Sequence, residues 1–239
     1  FWLLTKRSRS RIFQTHNCSD MTAPGIIKKV FEAAGIQETA YRLALAATYP
    51  AREYVVQYRE SEWDFVCRLM EEEGIYYLFE HSAEGHKLVL GDGGAAHVAS
   101  PLSPNCVYRD PTGFVTEAEF IFSLQDAGEI QIGATKLKEF DFTHPPLVLS
   151  GNKTGDLFTA LEYSDYPGLF RTSAEGTRLA TVRFEEQQCR KRVLGMSATV
   201  RGLMPGEKFT LAEHPAEALN REYLVTRIVH EARQPQSLE

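Results

Sequence analysis

Apolar and polar positions alternate most clearly between Arg52 and Phe79, REYVVQYRESEWDFVCRLMEEEGIYYLF. Tyr54, Val56 and Tyr58 alternate with Val55, Gln57 and Arg59, a period of two in β-branched and aromatic residues that predicts a strand. Ser61 and Asp64 then form a helix start: the serine oxygen is placed to accept from the N3 amide, and the carboxylate to reach back to the cap amide. Phe65, Val66, Leu69 and Met70 make one apolar helical stripe. Gly74 is placed at C′, which pairs Ile75 with Met70 across a Schellman turn. Ile75–Phe79 reads as a strand apolar on nearly both faces, and Leu88–Leu90 as its antiparallel return after turn residues His81–Gly85.

The same reading extends outward. Phe1–Leu4 predicts a strand, Lys6–Arg11 a turn or exposed edge, and Arg11–Gln14 a further strand. Thr22 caps a helix to Ala34 that is stopped by Gly35. Residues 94–113, rich in proline and small residues, read as a linker or surface excursion. Strands are expected at Phe114–Ser123, Glu129–Thr135, Lys138–Phe142, from Leu147 to Ser150, and at Leu157–Tyr163, with a loop at Gly151–Gly155. Thr172 and Glu175 form a second capping box, opening a helix over Ser173–Arg190. Strands at Val193–Arg201, Lys208–Leu211 and Glu222–Glu231 close the chain. Short strands punctuated by turns indicate a mainly β (α+β) protein, a barrel or sandwich with inserted helices.

Composition narrows the classes. The chain has 239 residues, 43% hydrophobic and 24% charged, with net charge −6. That balance argues against nucleic acid or an anionic membrane as main partner. No apolar run approaches the ~18 residues of a membrane span. The first residues run into Lys6 and Arg7 without the profile of a secretory leader, and Phe1–Thr5 reads as the middle of a strand, as in a fragment. The four cysteines are scattered, which suits a reducing compartment better than a disulfide framework.

Catalytic chemistry is hard to find. The seven histidines form no HxxxH or HExxH pair, and the glycines form neither a GxGxxG nor a P-loop pattern. No metal or cofactor is expected. Glu162 and Asp165, beside Tyr163 and Tyr166, are the candidate pair for glycan hydrolysis, since such enzymes work with two carboxylates. A carbohydrate-binding β module is a further alternative. Glu71, Glu72 and Glu73 stand where the helix macrodipole disfavours anions, by about 0.3 kcal/mol or more each. A charge run is ordinarily a solvated face; the alternative is a contact with a basic partner surface, which makes these three the candidate protein-interface residues. The basic cluster Lys6–Arg11 has the same two readings, a solvated loop or a contact with an acidic partner.

The segment YVVQYRESEWDFVCRLMEEEGIYYLFEH, Tyr54–His81, resembles the signature of the VgrG spike proteins of type VI secretion systems, which share a fold with the baseplate hubs of contractile phage tails. FWLLTKRSRSRIFQ, EFDFTHP (Glu139–Pro145), EYSDYPG (Glu162–Gly168) and LNREYLVTRIVHE (Leu219–Glu231) resemble further family stretches in the same order. The resemblance implies a non-enzymatic structural protein with two β-barrel-like tube domains: 1–93, the remainder of a first hub barrel with a helix–strand insert; 94–113, a linker; and 114–239, a second barrel with an inserted helix. It implies a homotrimer docked on a ring of haemolysin-coregulated protein (Hcp). Family members continue into a needle, through which a spike tip and effectors would be reached. Such a spike would be assembled in the bacterial cytoplasm and driven into target cells. A phage or prophage tail hub is the near alternative.

Overall fold

The structure, a computed structural model, describes residues 1–110 and 118–232. The first part contains β1 (Ser8–Phe13), α1 (Ala23–Ala33), β2 (Tyr41–Ala44), β3 (Val55–Ser61), α2 (Glu62–Glu73), β4 (Tyr76–Ser82) and β5 (Gly85–Gly91). Then come β6 (Asn105–Val107), β7 (Ile121–Gly128), β8 (Ala134–Glu139), β9 (Leu149–Thr154), β10 (Glu162–Asp165), α3 (Ser173–Gln188), β11 (Arg192–Ala198), β12 (Lys208–Ala212) and β13 (Glu222–Leu224). The strands form small open sheets. β1 pairs with β3, and β7 with β11; β5 lies between β2 and β4, β8 between β10 and β9, and β12 between β13 and β6. The protein is mainly β, with three α-helices among the described residues.

The first core forms where α1 and α2 meet. Ile26, Ile27, Val30 and Phe31 of α1 pack with Phe65, Val66, Leu69 and Met70 of α2 and with Leu88 and Leu90 of β5. Phe13 stacks on Phe65 with ring centres 5.4 Å apart. Each such side chain contributes about 1.5–3 kcal/mol by leaving water, so the stripe on α2 is the main reason the helix forms. Its ends are sealed locally. Ser61 Oγ accepts from the Asp64 amide at 3.0 Å, and the Ile75 amide donates to the Met70 carbonyl at 2.8 Å. Gly74 sits at φ +75°, and a Cβ there would lie 2.8 Å from the Val182 side chain of α3. Glycine is thus required both by the left-handed turn and by the approach of α3.

Two smaller cores follow. One gathers Cys106, Ile121, Val200, Leu203, Phe209 and Leu211. The other places Phe170 and Ala180 against Leu137 and Leu149. At Gly151 the backbone of β9 passes so close to α3 that a Cβ would stand 2.0 Å from the Gly176 carbonyl carbon.

Several sequence expectations need correction. Phe1–Leu4 is not a strand: a 3-10 turn over Trp2–Lys6 leaves Leu4 buried while Phe1 packs edge-on against Phe31. A turn brings positions i and i+3 to one side, whereas a strand would send them to opposite faces. Lys6–Arg11 is not simply a turn, since β1 begins at Ser8. The expected pair Glu129–Thr135 and Lys138–Phe142 is replaced by the single strand β8, in register with β9 from Ala134↔Thr154 to Glu139↔Leu149. β9 therefore runs through residues 151–154 of the expected loop 151–155, because Gly151 serves close packing rather than a turn. The closing strand is short, Glu222–Leu224. β4 is not buried on both faces, as Tyr77 is exposed.

The stretch 94–113 contains β6, parallel to β12, and the Ser100 amide donates to the Lys208 carbonyl at 2.8 Å. Pairing with β12 supplies partners that a free excursion would take from water. Of the expected strand Phe114–Ser123, residues 114–117 lie outside the described residues, and β7 begins at Ile121. β2, which the sequence pattern did not disclose, runs parallel to β5.

Candidate interaction site

Glu71–Glu73 end α2 at the point where α3 crosses it. Successive helix positions point about 100° apart, so the three carboxylates meet different surroundings. The Glu73 side chain is 3% exposed, between Arg52 Nη2 at 2.6 Å and Arg178 Nη2 of α3 at 2.7 Å. Glu72, half-buried, receives Arg52 Nη1 at 2.5 Å and Arg68 Nη1 at 3.1 Å. Glu71 is 67% exposed, with Arg183 of α3 at 3.7 Å. Burial pulls the Arg52 guanidinium down, but its bonds to Glu73 and Glu72 outweigh that and hold it above its ordinary value. Glu53 and Arg171 add an exposed bidentate pair at 2.6 and 2.9 Å.

Within the chain these acids are met by its own arginines. Arg52 precedes β3, and Arg178 and Arg183 project from α3. The dipole penalty at the end of α2 is offset by charge-assisted bonds, which are about twice as strong as neutral ones. Asp92, just after β5, ties down the segment that follows β2. Its carboxylate accepts from the Ala46 and Ala47 amides and from the Tyr49 hydroxyl. Burial raises this carboxyl, but those donors outweigh it and leave it below the usual range.

A second ion cluster sits at the start of α2. The Glu62 side chain is fully buried, with Arg7 Nε and Arg9 Nε each at 3.0 Å and Arg11 Nη2 at 3.3 Å. The Arg7 contact to Oε2 lacks hydrogen-bond geometry. Arg11 Nε also donates to Gln57 Oε1 at 2.8 Å. Arg9 and Arg11 of β1, with Arg7 just before it, thus gather around one buried carboxylate. Their spacing of two was the available signal, but charge density made the segment look like a loop.

The carboxylates proposed for glycan chemistry do not converge. Glu162 and Asp165 are three apart on β10, which directs them to opposite faces. Glu162 pairs with Lys136 at 3.7 Å, and Asp165 accepts from Tyr163 Oη at 3.2 Å. Among the described residues no group of three or more His, Cys, Asp or Glu is placed to hold a metal. The four cysteines are free. Burial pushes the Cys67 thiol up to about 11. No helix among the described residues is long and apolar enough to cross a membrane.

The chain has known relatives. The type VI secretion system spike proteins VgrG1b and VgrG1a of Pseudomonas aeruginosa are each 38% identical to the chain over 237 residues, 96% of its length. The chain spans about a third of those relatives, 31% and 36% respectively. A Vibrio cholerae protein named actin cross-linking toxin VgrG1 is 30% identical, and the chain covers 21% of it. In fold, the chain is similar to the E. coli c3393 protein, a type VI secretion component described as similar to the T4 tail proteins gp27 and gp5. The TM-score is 0.63 at 21% identity, covering 94% of this chain and 47% of that one. A prophage MuSo2 tail protein from Shewanella oneidensis matches with TM-score 0.57 at 12% identity, over 92% of this chain and 64% of that one. The family model of the phage tail baseplate hub (GPD) matches residues 1–236, and the chain belongs to that family.

Proposed function

We propose that this chain is the base region of a type VI puncturing spike, a structural rather than catalytic element. Three copies form a tube-like hub that docks on an Hcp ring. One observation carries the reading: similarity at 38% identity to a spike protein of that system runs over 96% of the chain. The divergence of Glu162 and Asp165 on β10 supports a non-catalytic role. In this reading 94–113 links two tube domains, 1–93 and 114–239. Assembly is cytoplasmic and is followed by delivery into a target cell, with tip and effectors carried by other regions of the spike. In this reading the run Glu71–Glu73 lies near a partner subunit or tube surface, with Glu71, the most exposed of the three, foremost.

The prophage-tail reading draws on fold similarity to a prophage tail protein. Disrupting the gene in its own cells separates the two. The spike reading expects Hcp to disappear from the culture medium. Unchanged Hcp release with loss of tail particles would replace it with the phage reading.

A further inference from the structure

Five positions separate His81 from His86, a poor ligand spacing along a single helix or strand. The β4–β5 hairpin changes that, because it folds the chain back between them. Ser82 pairs with Gly85 to close the turn, and His81 then lies directly opposite His86. Residues so placed have Cβ atoms about 4.5–5.5 Å apart on one face of the sheet. The two imidazole ring centres are 6.3 Å apart.

Both rings are held from below and open above. Phe79 lies 6.5 Å from the His81 ring and 5.7 Å from the His86 ring, and Phe1 lies 6.4 Å from His86. The turn is braced by the Glu84 amide, which donates to Ser82 Oγ at 3.3 Å. Both histidines are exposed. His97, His144 and His214 each commit Nδ1 to a neighbouring group. Among the described residues the nitrogens of His81 and His86 have no hydrogen-bond or ion-pair partner.

Two imidazoles sharing one ion, each nitrogen about 2.0–2.1 Å from it, have ring centres roughly 5–6 Å apart. Small χ rotations of exposed side chains close the difference from 6.3 Å. Imidazole suits zinc, nickel and copper, whereas magnesium and calcium take oxygen ligands. Among the described residues no third His, Cys, Asp or Glu joins the pair, so water fills the remaining positions.

We infer that His81 and His86 form a two-histidine site for a late first-row divalent cation, which pins the end of the β4–β5 hairpin. The site does not depend on the assembly reading and would be present in a single copy.

The test uses the protein as its own cells produce it, freed of metal by a chelator, with Cys189→Ser removing the exposed thiol. Ni²⁺ and Zn²⁺ are titrated calorimetrically into this protein and into His81→Ala, His86→Ala and the double variant. Losing even a group that orients a ligand costs a metal site about 10–100-fold in affinity. Either single variant is therefore expected to lose at least about tenfold, as much as the double variant, while His144→Ala binds unchanged. Zn²⁺ should raise the melting temperature of the unsubstituted protein and leave that of the double variant where it was. A second measurement needs no substitution at the pair: Zn²⁺ should protect both rings from diethyl pyrocarbonate at the same ion concentration, read by peptide mass. Equal binding by the double variant, single variants that each lose only half of the bound ion, or protection of one ring without the other would overturn the site. None of those results touches the trimeric reading.

Discussion

Replacing Glu73 by glutamine keeps the shape of the side chain and removes the charge that two arginines share. The carboxylate is nearly inaccessible and meets Arg52 and Arg178 at 2.6 and 2.7 Å. Glutamine retains one acceptor oxygen, so one of these bonds persists. The other is lost, at about 1.5–3 kcal/mol for a bond to a charged group, and an amide NH2 is turned toward a guanidinium. Breaking a buried pair outright costs about 3–5 kcal/mol, so Glu73→Gln is expected to destabilise by about 2–4 kcal/mol. With a urea slope of about 3 kcal/mol per molar, the unfolding midpoint should fall by roughly 1 M. Glu71→Gln is the control: its carboxylate is two-thirds exposed and 3.7 Å from Arg183, so its effect should stay within about 0.5 kcal/mol. A double-mutant cycle with Arg178→Met should give a coupling of about 1.5–3 kcal/mol. Equal midpoints for Glu73→Gln and Glu71→Gln would refute the view that the acidic run serves to fasten α3 to α2.

Other perturbations test the remaining joints. Glu62→Ala leaves Arg7, Arg9 and Arg11 around an empty space and is expected to destabilise by about 3–5 kcal/mol, read from the same urea titration. Gly74→Ala must adopt φ +75° and meet Val182 at 2.8 Å; a loss of about 1–3 kcal/mol is expected, visible as a lower melting temperature. The Asp92 carboxyl is held below its ordinary value in the folded chain. Its contribution is therefore present above the unfolded value of about 3.9 and lost as pH falls through the folded value. Asp92→Asn should flatten the acid limb of the stability curve below about pH 4, and an unchanged limb would contradict that assignment.

The parts legible from sequence are those whose causes are local. Ser61, the Phe65–Met70 stripe and Gly74 lie within one short segment, and each does in the structure what its residue type implies. Both capping boxes are correct at the hydroxyl but differ at the acid. Asp64 takes the Ser61 hydroxyl itself at 2.7 Å, and Glu175 takes the Arg171 amide rather than the cap amide. Causes distant in sequence were not legible. Arg178 is 105 residues from Glu73, so the sequence exposed an uncompensated acidic run without its counterpart. β2 forms because β5 offers a parallel edge, a fact absent from Tyr41–Ala44 alone. At Arg7, Arg9 and Arg11 the period of two was visible, but only the buried Glu62 explains why such a charged segment is a strand. The family, by contrast, was legible through ordered motifs along the chain.

The central claim is that this chain works by assembling, three copies to a hub. The direct measurement is the solution mass of the protein as its own cells make it, by sedimentation equilibrium across a range of concentrations. The account predicts a mass of three protomers that persists on dilution. A single protomer at every concentration would contradict it.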